Sequence, residues 1–104
     1  MKALFDEVSL DCSKKITKKY STSFSLAIKM LSPKIQDEIY AIYGFVRFAD
    51  EIVDTFEGYD QEILLDEFEA EYEKALERKI SLNPVLNAFQ RVVHEYKLHD
   101  LVPP

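Results

Sequence analysis

The chain is poor in the residues that would announce several protein classes. It has a single cysteine, Cys12, only two glycines and four prolines in 104 residues. A lone thiol builds neither a disulfide framework nor a thiolate metal cluster, and it suits a reducing, cytoplasmic setting. Long stretches free of Gly and Pro point to an all-helical chain. No apolar run approaches the ~20 residues needed to cross a bilayer, and the start, Met1-Lys-Ala-Leu-Phe-Asp-Glu, lacks the apolar core of a signal peptide. No basic stripe offsets the formal net charge of −6, which argues against nucleic acid and against purely electrostatic attachment to anionic lipid. There is no Glu-x-x-His pair of the kind a di-iron bundle uses, no internal repeat and no low-complexity tract. His94 and His99 have no carboxylate at ligand spacing and read as surface or core residues.

What is present is an apolar fraction of 47%, ample for the core of one small domain. Residues 3–20 read as an amphipathic helix with Leu4, Val8, Cys12 and Ile16 on its buried side. Lys14, Lys15, Lys18 and Lys19 crowd its last turns, where positive charge complements the helix dipole. The run Tyr20-Ser-Thr-Ser-Phe24 breaks the pattern, because small hydroxyl residues favour caps and bends. A short helix is expected from Phe24 to Leu31. Ser32-Pro33, a capping hydroxyl before a first-turn proline, starts a long helix to about Phe56, with Gly58 stopping it. Asp60 caps a helix over 61–79 with Ile63, Leu64, Phe68, Tyr72 and Leu76 inside and a solvated acidic face of Glu62, Asp66, Glu67, Glu69, Glu71, Glu73 and Glu77. Asn83-Pro84 opens a last helix with Val85, Leu86, Phe89, Val92, Val93 and Tyr96 on its apolar sides, and 98–104 reads as a linker. The last helix is apolar around much of its circumference. The expectation is therefore that residues 1–104 are the N-terminal helical portion of one larger domain.

The organising stretch is Tyr40-Ala-Ile-Tyr-Gly-Phe-Val-Arg-Phe-Ala-Asp-Glu-Ile-Val-Asp54. At helical period Ile35, Ile39, Ile42, Val46, Ala49 and Val53 form the apolar stripe expected to face the core. Tyr43, Arg47, Asp50 and Asp54 recur at i, i+4, i+7 and i+11 and stack on another face. Two carboxylates one turn apart repel unless a cation lies between them. Mg²⁺ takes one or two protein carboxylates and completes its shell with water and phosphate oxygens. An arginine one turn earlier adds a planar fork for the same phosphate, and aromatic rings can face a developing carbocation. The plainer alternative is an exposed acidic helix end with an Arg47–Glu51 ion pair.

Three segments in order, Tyr-Ser-Thr-Ser-Phe-Ser-Leu-Ala at 20–27, Ser-Pro at 32–33 and Ile-Tyr-Ala-Ile-Tyr-Gly-Phe-Val-Arg-Phe-Ala-Asp-Glu-Ile-Val-Asp at 39–54, resemble the squalene/phytoene synthase family, with bacterial phytoene synthases nearest. The resemblance is specific over about residues 18–57. It implies an all-α, helical isoprenoid-synthase (terpenoid synthase) fold, here its N-terminal part, and head-to-head joining of two prenyl diphosphates. By the same resemblance Asp50 and Asp54 hold Mg²⁺ (or Mn²⁺) on the substrate diphosphate, and Arg47 contacts that diphosphate. Tyr43 lines the cavity, and Ser21, Ser23 and Phe24 form the diphosphate-binding segment.

The implied reaction joins two geranylgeranyl diphosphates through a cyclopropyl diphosphate to phytoene, in carotenoid biosynthesis, with no nicotinamide cofactor. The alternatives are squalene or dehydrosqualene synthesis from farnesyl diphosphate, or a non-catalytic helical interaction module. The greasy substrate implies peripheral membrane contact; the sequence assigns no oligomeric state. Two departures stand out. Thr22 occupies a position where the family often has lysine, and the second aspartate-rich motif lies outside these 104 residues. These residues alone are thus expected to bind diphosphate weakly and not to turn over.

Overall fold

The structure, a computed structural model, describes residues 2–96. It contains α1 (Lys2–Tyr20), α2 (Thr22–Ile28), α3 (Pro33–Asp54), α4 (Gln61–Arg78) and α5 (Pro84–Tyr96), with no strand among the described residues. The expected linker at 98–104 and His99 fall outside the described residues.

Local chemistry sets the boundaries. At the α1–α2 junction Ser21 leaves helical geometry (φ −149°, ψ 93°) and its Oγ accepts from the Phe24 amide at 3.2 Å, the capping geometry that small hydroxyl residues favour. The short α2 ends at Ile28, before the expected Leu31, where the Met30 and Leu31 amides turn back onto the Ala27 and Ile28 carbonyls. Pro33 begins α3, although the Ser32 side chain makes no capping bond. α3 stops at Asp54, short of Phe56; Gly58, at φ 87°, shapes the following turn rather than the helix end. Asp60 Oδ1 caps α4 through the Ile63 amide at 3.1 Å, and Asn83 Oδ1 caps α5 through the Val85 amide at 3.0 Å. Lys79 adopts the left-handed conformation (φ 61°) after α4, and its carbonyl accepts from Gln90 Nε2 at 3.2 Å.

The core lies between α3, α4 and α5. Tyr72, Ala75, Leu86, Phe89 and Val93 pack with Ile42, Phe45, Phe68 and Leu76, and the Phe45 and Phe89 rings stack with centroids 4.0 Å apart. α1 lies across α3 and α5, over Ala41, Ala88 and Val92.

Expected faces on four helices are corrected by this packing. The buried side of α1 is Asp6, Ser9, Ser13 and Thr17, whereas Leu4 and Val8 are about half exposed and Cys12 and Ile16 half-buried. The buried side of α3 is Tyr40, Ala41, Gly44 and Ile52, leaving Ile35, Val46 and Val53 exposed. On α4, Ile63 is exposed, and on α5 Tyr96 is too. The reason on α1 and α3 is close approach. A Cβ on Gly44 would lie 2.7 Å from Ser13 Oγ and 3.3 Å from Ser13 Cα, so only small residues fit at this crossing. The buried hydroxyls of Ser9 and Thr17 bond to the carbonyls of Phe5 and Ser13 one turn earlier, so their burial leaves no donor unmade.

A second polar hub locks α1 to α5. Asn87, fully buried, donates from Nδ2 to Asp6 Oδ1 at 2.9 Å and to Ser9 Oγ at 3.1 Å, while its Oδ1 accepts from the Ser81 amide at 3.3 Å. Lys2 Nζ and Arg91 Nε reach the same Asp6 carboxylate at 2.6 and 3.5 Å.

Candidate active site

The bend after α1 delivers two aromatic rings to α3. Phe24 stacks on Tyr43 with centroids 5.2 Å apart, and the Tyr20 ring lies 5.0 Å from the Arg47 guanidinium carbon. The sequence-predicted Phe24, Tyr43 and Arg47 are thus brought together, 19 to 23 positions apart along the chain. Ser21 uses its hydroxyl to cap α2, and Ser23 is exposed, with no hydrogen bond joining it to α3.

Arg47 Nη2 bonds Glu51 Oε1 at 3.1 Å, one turn along the helix. The same carboxylate accepts from Thr55 Oγ1 at 2.7 Å and from the Tyr20 hydroxyl. The Tyr20 bond, then the Thr55 bond, hold the Glu51 carboxyl below its ordinary value, helped by the Arg47 charge and opposed by partial burial. The bond to Glu51 likewise pushes the Tyr20 phenol up. Glu51, read from the sequence only as an ion-pair partner for Arg47, is therefore the hub of this corner. The missing signal was Tyr20, which lies 31 positions away.

Asp50 and Asp54 continue the helix face of Tyr43 and Arg47. Both are exposed, and among the described residues neither side chain makes a hydrogen bond or salt bridge. Val46 and Val53, each within one turn of Asp50, are exposed on the same side. Among the described residues no group of three or more His, Cys, Asp or Glu could hold a metal ion. The two free carboxylates at i and i+4 nevertheless suit Mg²⁺, a hard cation content with two protein oxygens when phosphate and water supply the rest.

An apolar pocket of about 450 Å³ opens elsewhere, between the far side of α3 and α4. It is lined by Phe48, Phe56, Leu64 and Phe68, with Tyr20 and Glu51 at its edge, and touches neither Asp50 nor Asp54. His94 Nε2 donates to the Leu76 carbonyl at 2.8 Å, tying α5 to α4. No described helix is long and apolar enough to cross a membrane.

An all-helical chain with an aromatic bend folded onto an Arg-x-x-Asp-x-x-x-Asp face defines a class, and the comparisons name it. The squalene/phytoene synthase family model matches residues 17–103, and the chain belongs to this family. Its all-α arrangement is that of the family's isoprenoid-synthase fold. Presqualene diphosphate synthase of Zymomonas mobilis subsp. mobilis is 36% identical over 58 residues, a match covering 56% of this chain and 20% of that protein. No solved structure matches.

Proposed function

We propose that this chain supplies the first diphosphate-ionising face of a head-to-head prenyltransferase. The observation carrying the reading is the shared α3 face, where unpaired Asp50 and Asp54 follow an Arg47 already fixed against the Tyr20–Phe24 bend. Arg47 binds the substrate diphosphate through its guanidinium fork. Asp50 and Asp54 would hold Mg²⁺, or Mn²⁺, which when bound offsets the charge growing on the leaving diphosphate. The stacked Phe24 and Tyr43 rings offer π faces toward an allylic cation. The exposed Val46 and Val53 give the hydrocarbon chain an apolar surface that discourages quenching by water.

In the first half-reaction the C–O bond of one prenyl diphosphate breaks with its electron pair leaving on diphosphate. The double bond of a second prenyl diphosphate attacks the resulting allylic carbon. Loss of a proton closes the cyclopropyl diphosphate.

Geranylgeranyl diphosphate, leading to phytoene, is the substrate implied by the family resemblance. Farnesyl diphosphate is the second reading, favoured by the likeness to a presqualene diphosphate synthase. Product analysis decides between them: the complete reading frame containing this chain is expressed and supplied with Mg²⁺ and either diphosphate. A C40 or C30 cyclopropyl diphosphate or its hydrocarbon is the expected product. Absence of any condensation product from both substrates overturns the reading, and the 104 residues by themselves are expected to give none. Peripheral membrane contact belongs to the same proposal, since the hydrocarbon product partitions into lipid.

A further inference from the structure

We propose that Tyr20 and Glu51 are positioning residues that fix the Arg47 guanidinium for phosphate, an assignment that rests on the diphosphate reading above. Glu51 follows Asp50 in the chain, but one residue is about 100° of helical turn, so it faces α1 instead of the open side. There its carboxylate is only 13% exposed and accepts from Thr55, Arg47 and the Tyr20 hydroxyl. An acceptor tied to three donors, from α1, α3 and the residue capping α3, has little freedom left, and each bond to the ionised group is of the stronger, charge-assisted kind.

Arg47 inherits that rigidity. Its Nη2 is tied to Glu51, and its guanidinium carbon lies 5.0 Å from the centroid of the Tyr20 ring. Because the group is planar, tying Nη2 and holding the guanidinium carbon over the ring narrows the positions open to Nη1. Nη1 makes no hydrogen bond among the described residues, and Nε is buried without a partner. A guanidinium held in advance loses less freedom on binding an oxyanion than a mobile one.

Glu51 also has an opposing effect, since its negative charge reduces the attraction of Arg47 for an anion. Positioning and simple Coulomb attraction therefore predict opposite signs for Glu51→Gln. Tyr20→Phe is the charge-neutral companion; it keeps the ring and removes only the hydroxyl.

Two quantities are measured on the 104-residue chain and on Y20F, E51Q and D50N. One is the order of the Arg47 Nε–Hε vector by ¹⁵N relaxation without ligand. The other is the affinity for inorganic pyrophosphate in excess Mg²⁺ by NMR titration, both well below each variant's melting temperature. The expectation is that Y20F and E51Q each loosen Arg47 and weaken pyrophosphate binding by about fivefold, in keeping with loss of one hydrogen bond to a charged group at a part-exposed site. A purely structural tie between α1 and α3 would lower the melting temperature and leave both quantities unchanged, which overturns the assignment. Tighter binding by E51Q overturns it as well, because charge then outweighs positioning, and so does a loosened Arg47 with unaltered affinity. Absence of Mg²⁺-dependent binding by the wild type, or binding indifferent to D50N, overturns the diphosphate reading together with this assignment. Wild-type binding that D50N weakens but Y20F and E51Q do not overturns this assignment alone.

Discussion

Asp6 and the Asp50–Asp54 pair are carboxylates of one small helical molecule in opposite circumstances. Asp6 lies buried between α1 and α5 with Asn87, Lys2 and Arg91 on it. Asp50 and Asp54 stand on the exposed side of α3 with no partner among the described residues. The first arrangement satisfies a charge so that it can be buried; the second keeps two charges available. Stability therefore depends on the α1–α5 hub, and ligand binding on the α3 face, so substitutions in the two regions are expected to separate cleanly.

The largest expected effect is on the buried hub. Asn87→Ala removes one donor each from Asp6 and Ser9, takes the acceptor from the Ser81 amide and leaves a cavity, and is expected to lower unfolding free energy by about 3 kcal/mol, read from urea denaturation. Pyrophosphate affinity of the fraction still folded stays unchanged. Next, Gly44→Ala forces a Cβ to within 2.7 Å of Ser13 Oγ and 3.3 Å of its Cα. Overpacking at this crossing is expected to destabilise by about 2 kcal/mol, seen as a lower melting temperature. If Gly44→Ala is neutral, α1 and α3 do not cross as closely as described.

The acid pair inverts the pattern. Asp50→Asn and Asp54→Asn are expected to change stability by less than about 0.5 kcal/mol. Each is expected to weaken Mg²⁺-dependent pyrophosphate binding about tenfold, which is about 1.4 kcal/mol. A large loss of stability in either variant would erase the distinction between the two regions.

The smallest effect is the acid limb of the stability curve. Burial alone raises the Asp6 carboxyl, but hydrogen bonds from Lys2 and Asn87 and the Arg91 charge outweigh it, and the net shift is below the ordinary 3.8. A depressed folded value means the contribution is complete above the unfolded value and is lost as pH falls through the folded one. Stability should thus decline below about pH 4, and Asp6→Asn should flatten that decline while lowering the plateau. Asp50→Asn should leave the shape of the curve as it is.

The two regions also differ in how far the sequence reveals them. Helix starts at Pro33, Gln61 and Pro84 are legible because their signals are local: a cap residue, a proline, a break in period. The Tyr43, Arg47, Asp50, Asp54 face is legible because helical spacing alone stacks those residues. The buried sides of α1 and α3 are not. Apolar periodicity selects Leu4, Val8, Val46 and Val53, but the close crossing at Gly44 and Ser13 selects small residues, and the bulky stripe stays outside. The Asp6–Asn87 bond joins residues 81 positions apart and the Tyr20–Glu51 bond residues 31 apart. Neither pair shares a local pattern, so only the tertiary structure reveals them.

The most direct test of the account is an amide-resolved NMR titration of the chain with inorganic pyrophosphate, run with and without Mg²⁺. The account predicts Mg²⁺-dependent shifts concentrated at Arg47, Asp50 and Asp54 and at the facing bend of Tyr20–Phe24, abolished when both aspartates are replaced by asparagine. Shifts confined to Lys14, Lys15, Lys18 and Lys19, or unchanged in the double variant, would contradict it.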